Sequence, residues 1–292
     1  MYEQISSNIW KSYGLIVFFI VVIAGLGYVF AQTTGYPEIL PLAVIFAVLA
    51  SIGSYYYSDR IVLAMSRARP ATKEQHAHLV NSVEGLAIAA GLPAPRIYVI
   101  DDSAPNAFAT GRDPSRAVIC VTTGLMGKLN RVELEGVIGH EMSHIKGYDI
   151  RLMALVAVLA GTVVLISDWL LRSMWYGRGI GRRRRTGGPI ILVLALLAAV
   201  LAPLIATLIR LAISRRREYL ADAQGALLTR FPEGLASALE KIAADNEPLE
   251  AANKATAHMY IYNPLREHRG TLNAMFQTHP PIEERVRRLR GM

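Results

Sequence analysis

Four long apolar segments constrain the fold of this chain more than any other feature. They cover residues 15–31, 39–57, 152–171 and 190–209, and each has about the length of a helix that crosses a bilayer. A soluble protein of 292 residues rarely buries four such helices, and this chain is 52% hydrophobic but only 18% charged. We therefore expect an integral, multi-pass membrane protein with four transmembrane helices in a lipid bilayer.

The apolar segments divide the chain into four parts. We expect an N-terminal transmembrane hairpin, a first polar part, a second transmembrane hairpin and a second polar part, in residues 1–57, 58–151, 152–213 and 214–292. The formal net charge of +8 does not indicate nucleic-acid binding, because the arginines cluster beside apolar segments, where anionic lipid or membrane topology explains them. The sequence leaves the oligomeric state open.

Basic residues predict the orientation in the membrane. The loop 32–38 between the first two segments has no Lys or Arg, whereas several basic residues follow residue 57. The positive-inside rule therefore places both polar parts in the cytosol. Six arginines in the loop of the second hairpin oppose this orientation, so the sequence leaves open whether residues 152–213 fully cross the bilayer.

The first polar part predicts both helix and strand. Residues 73–90 show the pattern of an amphipathic helix. Short β-rich runs follow at 96–100, 107–110 and 117–121, separated by Asp, Asn, Pro and Ser residues that favour turns. We expect a small, mostly antiparallel sheet, and so a fold that is mainly α with a small β-sheet.

A pattern of metal-binding residues follows the predicted sheet. His140 and His144 lie four residues apart in a predicted helix with Asn130 as its N-cap, so both imidazoles share one face and can bind one ion. Glu141 lies beside the same ion without having to bind it. A catalytic zinc ion lowers the pKa of its bound water, and a neighbouring carboxylate can accept the proton. The pattern therefore predicts a zinc hydrolase.

A catalytic zinc ion needs a third protein ligand. The position of the third histidine in the pattern His-Glu-x-x-His-x-x-Gly-x-x-His is Ile150 here, so the ligand comes from elsewhere. Glu218 is the best candidate. Two membrane crossings separate it from His144, so both residues lie on the same side of the membrane, and each lies close to the end of an apolar segment. Asp222, one helical turn later, could accept a hydrogen bond from the free ring nitrogen of a ligating histidine. The alternative ligands are His258, His268, His279 and Asp149.

At these residues the chain resembles the HtpX family of integral-membrane zinc metalloproteases, which are relatives of the CAAX prenyl endopeptidases. The resemblance rests on residues 133–144 (ELEGVIGHEMSH), on residues 217–222 (REYLAD) and on the arrangement of the membrane segments. It implies a zincin-like catalytic domain formed by the two polar parts, with one zinc ion per subunit. His140, His144 and Glu218 would bind this ion, and Glu141 would be the general base.

Two further stretches fit the resemblance. Residues 105–111 (PNAFATG) are similar to the family's strand beside the active-site helix, so Asn106, Ala107 and Phe108 are candidate contacts for an extended substrate. A plain core strand with Phe108 packed inside is an equally good interpretation. Residues 278–281 (THPP) are similar to a C-terminal motif, in which His279 would donate a hydrogen bond to the oxyanion or would form a structural turn.

The resemblance also implies a biological role. We expect an endopeptidase of the bacterial inner membrane, with its active site facing the cytoplasm, that degrades unfolded or misfolded membrane proteins. Two alternatives remain. A fourth protein ligand, such as His258 or His279, would favour a noncatalytic scaffold in which zinc joins the polar parts. A transporter is less well supported, since no apolar segment carries the paired charges of an ion path.

Overall fold

Residues 2–177, 214–252, 255–262 and 280–292 are described in a computed structural model of the chain. Helices dominate the described part, and one small sheet accompanies them. This confirms the expected fold class.

The first two helices form a hairpin. α1 (Tyr2–Thr34) and α2 (Ile39–Met65) are joined by a short turn in which Gly35 has a φ of 77°. The stretches Ile5–Gln32 and Ile39–Met65 are long and apolar enough to cross a membrane, and many of their large apolar side chains are exposed. Both predicted segments are therefore confirmed as candidate membrane spans.

The third predicted segment, residues 152–171, lies within α6 (Asp149–Gly177). α6 packs against the hairpin through a shared apolar cluster that includes Leu155, Phe19 and Ala47. Its described part has the length and hydropathy of a span only together with the preceding helix, across a bend of 85°. The fourth predicted segment, residues 190–209, lies outside the described residues.

The sheet has four strands in the order β1-β2-β4-β3. Its strands are β1 (Arg69–Pro70), β2 (Arg96–Ile100), β3 (Ala107–Thr110) and β4 (Val118–Thr122). β1 and β3 pair antiparallel with their neighbours, whereas the central pair β2–β4 is parallel because β4 inserts between β2 and β3. The sheet is therefore mixed. β1 was not predicted, since it has only two residues and one of them is a proline, which strands accept mainly at an edge.

The remaining helices surround the sheet. They are α3 (Ala77–Ala90), α4 (Thr123–Lys128), α5 (Arg131–Lys146), α7 (Arg215–Thr229), α8 (Pro232–Ala244) and α9 (Ile282–Arg290). α3 begins four residues later than its amphipathic pattern predicted, after His76. α5 packs against α3, α7 and α8 and is buried along most of its length, so the side chains of α5 that meet α7 lie in the interior.

Asn130 caps α5 as predicted. Its side chain accepts a hydrogen bond of 3.0 Å from the backbone N–H of Glu133, and the Glu133 carboxylate accepts one of 2.8 Å from the backbone N–H of Asn130. This reciprocal capping box satisfies two N–H groups that would lack partners at the start of a buried helix. It fixes the first turn of the helix that carries His140 and His144.

Candidate metal centre

α5 places two imidazoles on one face. The Nε2 atoms of His140 and His144 lie 3.1 Å apart, and the two rings meet nearly at right angles, with an interplanar angle of 87°. Both side chains are almost inaccessible to water. Two buried histidines one turn apart need polar partners, and a metal ion between the Nε2 atoms satisfies both.

Glu218 reaches the same point from α7. Its carboxylate oxygens lie 3.6 Å from the Nε2 of His144 and 3.9 Å from the Nε2 of His140. The close approach of α7 to α5 depends on Gly225, where a Cβ atom would lie only 2.8 Å from the backbone nitrogen of His140. The sequence prediction that Glu218, distant along the chain, lies beside the two histidines agrees with this geometry.

The donor set fits a metal ion. One ligand atom from each of His140, His144 and Glu218 lies within 4.8 Å of the other two. Nitrogen and oxygen ligands at about 2.0–2.2 Å in a tetrahedral arrangement are separated by roughly 3.3 Å from one another. The separations of 3.1 to 3.9 Å are close to this value. Two imidazoles and one carboxylate could therefore hold one ion and leave a fourth position open.

Behind His140 lies a buried chain of charged groups. The Nδ1 of His140 is 2.9 Å from Oδ1 of Asp222. Arg285 in α9 donates two hydrogen bonds to Asp222, of 2.9 Å from Nε and 2.7 Å from Nη2, and a third of 3.2 Å to the carbonyl oxygen of Ile261. The Arg285 side chain is fully buried. Although burial alone would raise it, Arg285 and His140 hold the pKa of Asp222 at about 2.

Arg285 was not among the predicted site residues. It lies in a short helix with three other arginines, and nothing in its spacing separates it from them. Its neighbours Val286 and Leu289 are buried, so the amphipathic pattern of α9 could have indicated which face of the helix points inward.

The alternative ligands are engaged elsewhere or lie outside the described residues. Asp149 contacts the other ring nitrogen of His144, with 3.1 Å between its Oδ2 and Nδ1. Nε2 of His258 lies 3.0 Å from the carbonyl oxygen of Met153. His268 and His279 lie outside the described residues.

Glu141 is buried beside the two histidines. Its side chain accepts a hydrogen bond from the backbone N–H of Ala109 in β3. Burial raises the pKa of Glu141 to about 7, and the nearby Glu218 adds to the shift. Burial lowers the pKa of His140 to about 4, which favours the neutral imidazole that a metal ion requires.

The predicted substrate strand is β3, an edge strand next to α5. Phe108 is buried and its ring packs edge-on against Tyr260, with 5.0 Å between the centroids. The carbonyl oxygen of Ala107 accepts a hydrogen bond of 2.9 Å from Ile261, and the Asn106 amide donates one of 3.0 Å to Tyr262. Residues 260–262 therefore cover part of this edge, and substrate contacts at Asn106, Ala107 and Phe108 stay a prediction.

Comparison with known proteins identifies the family. The sequence model of Peptidase family M48 matches residues 73–292, which include all the residues of the metal centre. The chain belongs to peptidase family M48. This M48 protein is therefore a peptidase, and its buried His-His-Glu cluster fits the metallo type.

Relatives match over the full length. A protein named Protease HtpX homolog from Dictyoglomus turgidum is 50% identical over 295 residues, covering 100% of this chain and 94% of that relative. One of the same name from Thermoanaerobacter pseudethanolicus is 48% identical, covering 100% and 98%. One from Thermococcus sibiricus is 44% identical, covering 97% and 96%. The resemblance to the HtpX family is thus confirmed.

The fold resembles that of a solved structure. Ste24p from S. mikatae superposes with a TM-score of 0.52 at 20% identity, covering 99% of this chain and 67% of Ste24p. This likeness concerns the fold alone. The HtpX relatives and the two long apolar helices α1 and α2 support a membrane location for this M48 peptidase.

Proposed function

We propose that this M48 peptidase is a zinc-dependent endopeptidase that hydrolyses peptide bonds of unfolded or damaged membrane proteins. The observation that carries the proposal is the convergence of His140, His144 and Glu218, with Glu141 beside them, in the interior of the protein. Zinc is the metal that this donor set favours, because two imidazoles, one carboxylate and an open position make up a common catalytic zinc site.

Zinc, when bound, supplies a Lewis acid that activates water and polarises the scissile carbonyl. His140 and His144 would hold the ion through their Nε2 atoms, and Glu218 would hold it through a carboxylate oxygen. Asp222 and Asp149 accept hydrogen bonds from the Nδ1 atoms of the two histidines, which fixes each ring with its Nε2 unprotonated and pointing inward.

Glu141 transfers the proton. Its carboxylate accepts a proton from the attacking water and later delivers it to the nitrogen of the leaving amine. The hydrogen bond from the Ala109 backbone holds the carboxylate beside the two histidines. The fold therefore orients both Asp222, which positions His140, and Glu141, the general base, before any substrate enters.

The substrate is an extended polypeptide. β3 is an edge strand of the described sheet beside α5, and the part of its edge that residues 260–262 leave uncovered can add a further strand only if its partner has a free backbone. Folded proteins rarely offer one, so unfolded segments are preferred. In this proposal Asn106, Ala107 and Phe108 line the binding strand, and His279 stabilises the oxyanion.

The basic residues after α2 favour an active site in the cytoplasm of a bacterial cell, at the inner membrane. A protease in this place can reach misfolded segments of membrane proteins as they emerge from the bilayer. Protein quality control is therefore the role that we propose, with unfolded membrane proteins as the partners.

The test uses the full-length protein purified in detergent with a chelator present. Zinc is added back, and the cleavage of casein is followed for the wild type, for Glu141→Gln and for Glu135→Gln, a matched change on the same helix outside the metal centre. We expect zinc to restore cleavage in the wild type and in Glu135→Gln. Glu141→Gln should bind zinc and lose activity by about 10²–10⁴-fold.

Two other outcomes count against the proposal. If Glu141→Gln cleaves as fast as the wild type, the carboxylate is not the base. If zinc binds stoichiometrically but the wild type cleaves no unfolded substrate, a structural zinc that joins the two polar parts is the better description.

A further inference from the structure

A buried polar cluster joins the first membrane helix to the metal centre. Asn8 of α1 is only 3% exposed. Its amide nitrogen donates hydrogen bonds of 2.7 Å to Oδ1 of Asp149 and 2.9 Å to the carbonyl oxygen of Gly147. The hydroxyl of Ser12, one turn later, donates one of 2.8 Å to the backbone carbonyl of Asn8. The polar start of α1 is thus docked into the protein.

Asp149 transmits this contact to a candidate metal ligand. One carboxylate oxygen accepts the hydrogen bond from Asn8, and the other lies 3.1 Å from Nδ1 of His144. Arg217, the residue before Glu218, donates to the same Asp149 oxygen at 3.2 Å and to the Asn8 side-chain oxygen at 3.4 Å. Asn8 therefore contacts one group that orients His144 and another that adjoins Glu218.

Asn8 also contacts the junction of α5 and α6. The two helices meet at 85°, and Tyr148 in the junction has a φ of +59°, which is unfavourable for a residue other than glycine. Gly147 ends α5, so its carbonyl oxygen has no partner within that helix. Asn8 donates hydrogen bonds to Gly147, which caps the end of α5, and to Asp149, the first residue of α6, so it connects the two helices.

The chemistry of an asparagine matches this place. Its amide offers two donors and one acceptor, and all three functions are used by Gly147, Asp149 and Arg217. An apolar side chain would leave buried polar groups short of a partner, so the carboxylate of Asp149 would turn to find another. The family model begins at residue 73, so Asn8 lies outside the matched part of the chain.

We propose that Asn8 is a positioning residue of the metal centre, which acts through Asp149 to hold the imidazole of His144 in the orientation that binds the metal. The inference rests on the proposed zinc site. It means that the docked start of α1 is a component of that site as well as part of a membrane anchor.

The test measures zinc affinity of the full-length protein in detergent, by competition with a chromophoric chelator. Asn8→Leu should bind zinc about 10-fold more weakly than the wild type, in the range found when groups that orient metal ligands are removed. Ser6→Leu, an exposed position on the same helix, is the control and should leave the affinity unchanged. The visible spectrum of the Co²⁺-substituted protein should change for Asn8→Leu only, since it reports ligand geometry rather than stability.

A double-mutant cycle separates positioning from general support of the fold. Asp149→Ala should weaken zinc binding, and adding Asn8→Leu to it should cost less than a further 2-fold, because the route to His144 is already lost. Equal affinity of the wild type and Asn8→Leu, or fully additive losses in the double variant, would overturn the role of Asn8 while leaving the zinc site intact. A wild type that binds no zinc would overturn the site itself and with it this proposal.

Discussion

Arg285 and Asp222 form a two-point ion pair that is closed to water, and Asp222 uses the same carboxylate to contact His140. The C-terminal helix α9 therefore reaches the metal centre through the side chain of Arg285. Because burial of a lone charge is costly, each member of this chain of groups depends on the others.

Replacing Arg285 by methionine should weaken both the fold and the site. The change keeps much of the side-chain volume but leaves Asp222 charged and buried without its cation, which typically costs about 3–5 kcal/mol. Zinc affinity should fall by about 10–100-fold, since His140 loses its orientation. Chemical denaturation in detergent and chelator competition measure the two effects. The control Arg287→Met, on the exposed side of α9, should change stability and zinc affinity little. An unchanged zinc affinity in Arg285→Met would show that Asp222 orients His140 without Arg285.

Replacing Gly225 by alanine should separate the two helices that carry the metal ligands. The new Cβ would lie 2.8 Å from the backbone nitrogen of His140, so α7 must shift and Glu218 moves with it. Such overpacking typically costs about 1–3 kcal/mol, and it outweighs the gain of up to about 1 kcal/mol in helix propensity. Gly85→Ala in α3 has open space and should be neutral or stabilising. Equal thermal stability and zinc affinity of both variants would contradict the close-packing argument.

Glu133 should make the stability depend on pH. Burial opposes the shift, but hydrogen bonds from Lys241 and Ser237 outweigh it and hold the pKa of Glu133 below its usual 4.5. The stabilisation of the folded state by ionised Glu133 is therefore fully present above pH 4.5, and it is lost as the pH falls through the lower pKa that Glu133 has in the folded protein.

The variant Glu133→Gln tests this directly. Its free energy of unfolding should be about 1–2 kcal/mol below that of the wild type at neutral pH, because the capping box and the pair with Lys241 are weakened. The difference should shrink below pH 4.5. Denaturation curves between pH 3.5 and 7 measure it, and a difference that stays constant or grows in acid would speak against an ionised Glu133 in the folded protein.

Cys120 should be inert in the folded protein. It is the single cysteine of the chain, lies fully buried in β4, and burial raises the pKa of its thiol far above the usual range. Because the thiolate is the reactive form, maleimide labelling should be at least about 100-fold slower in the native protein than in denaturant. The variant Ile88→Cys, at an exposed position of α3, provides a rapidly labelled control. Fast labelling of native Cys120 would mean that the sheet opens readily.

The local parts of the site could be predicted from sequence because their signals are short-range. The spacing of His140 and His144 requires only one helical turn, and the cap at Asn130 requires only the residue three positions later. Glu218 was found through an argument about distance from the membrane, and Asp222 through its position one turn further along the same helix. Each inference needed only local geometry or the order of the apolar segments.

The remaining parts depend on tertiary packing, which no local pattern encodes. Asn8 and Arg285 are far apart in the sequence, and only the folded protein brings them to Asp149 and Asp222, the carboxylates that contact the two histidines. The parallel pairing of β2 with β4 follows from the insertion of β4 between its neighbours, and the strand sequences do not specify it. The start of α3 was predicted too early, because the helical pattern of residues 73–76 is overridden by a turn that ends at His76.

The metal centre lies beside the junction at which α5 and α6 meet at 85°. His144 lies in the last turn of one arm, and Asp149 begins the other arm, which is about 44 Å long at 1.5 Å per residue. Helices in a bilayer tilt when the hydrocarbon thickness changes. If α6 lies in the bilayer, a change in its tilt would displace Asp149 at its first turn, and Asp149 would pass this displacement to His144 through their contact of 3.1 Å.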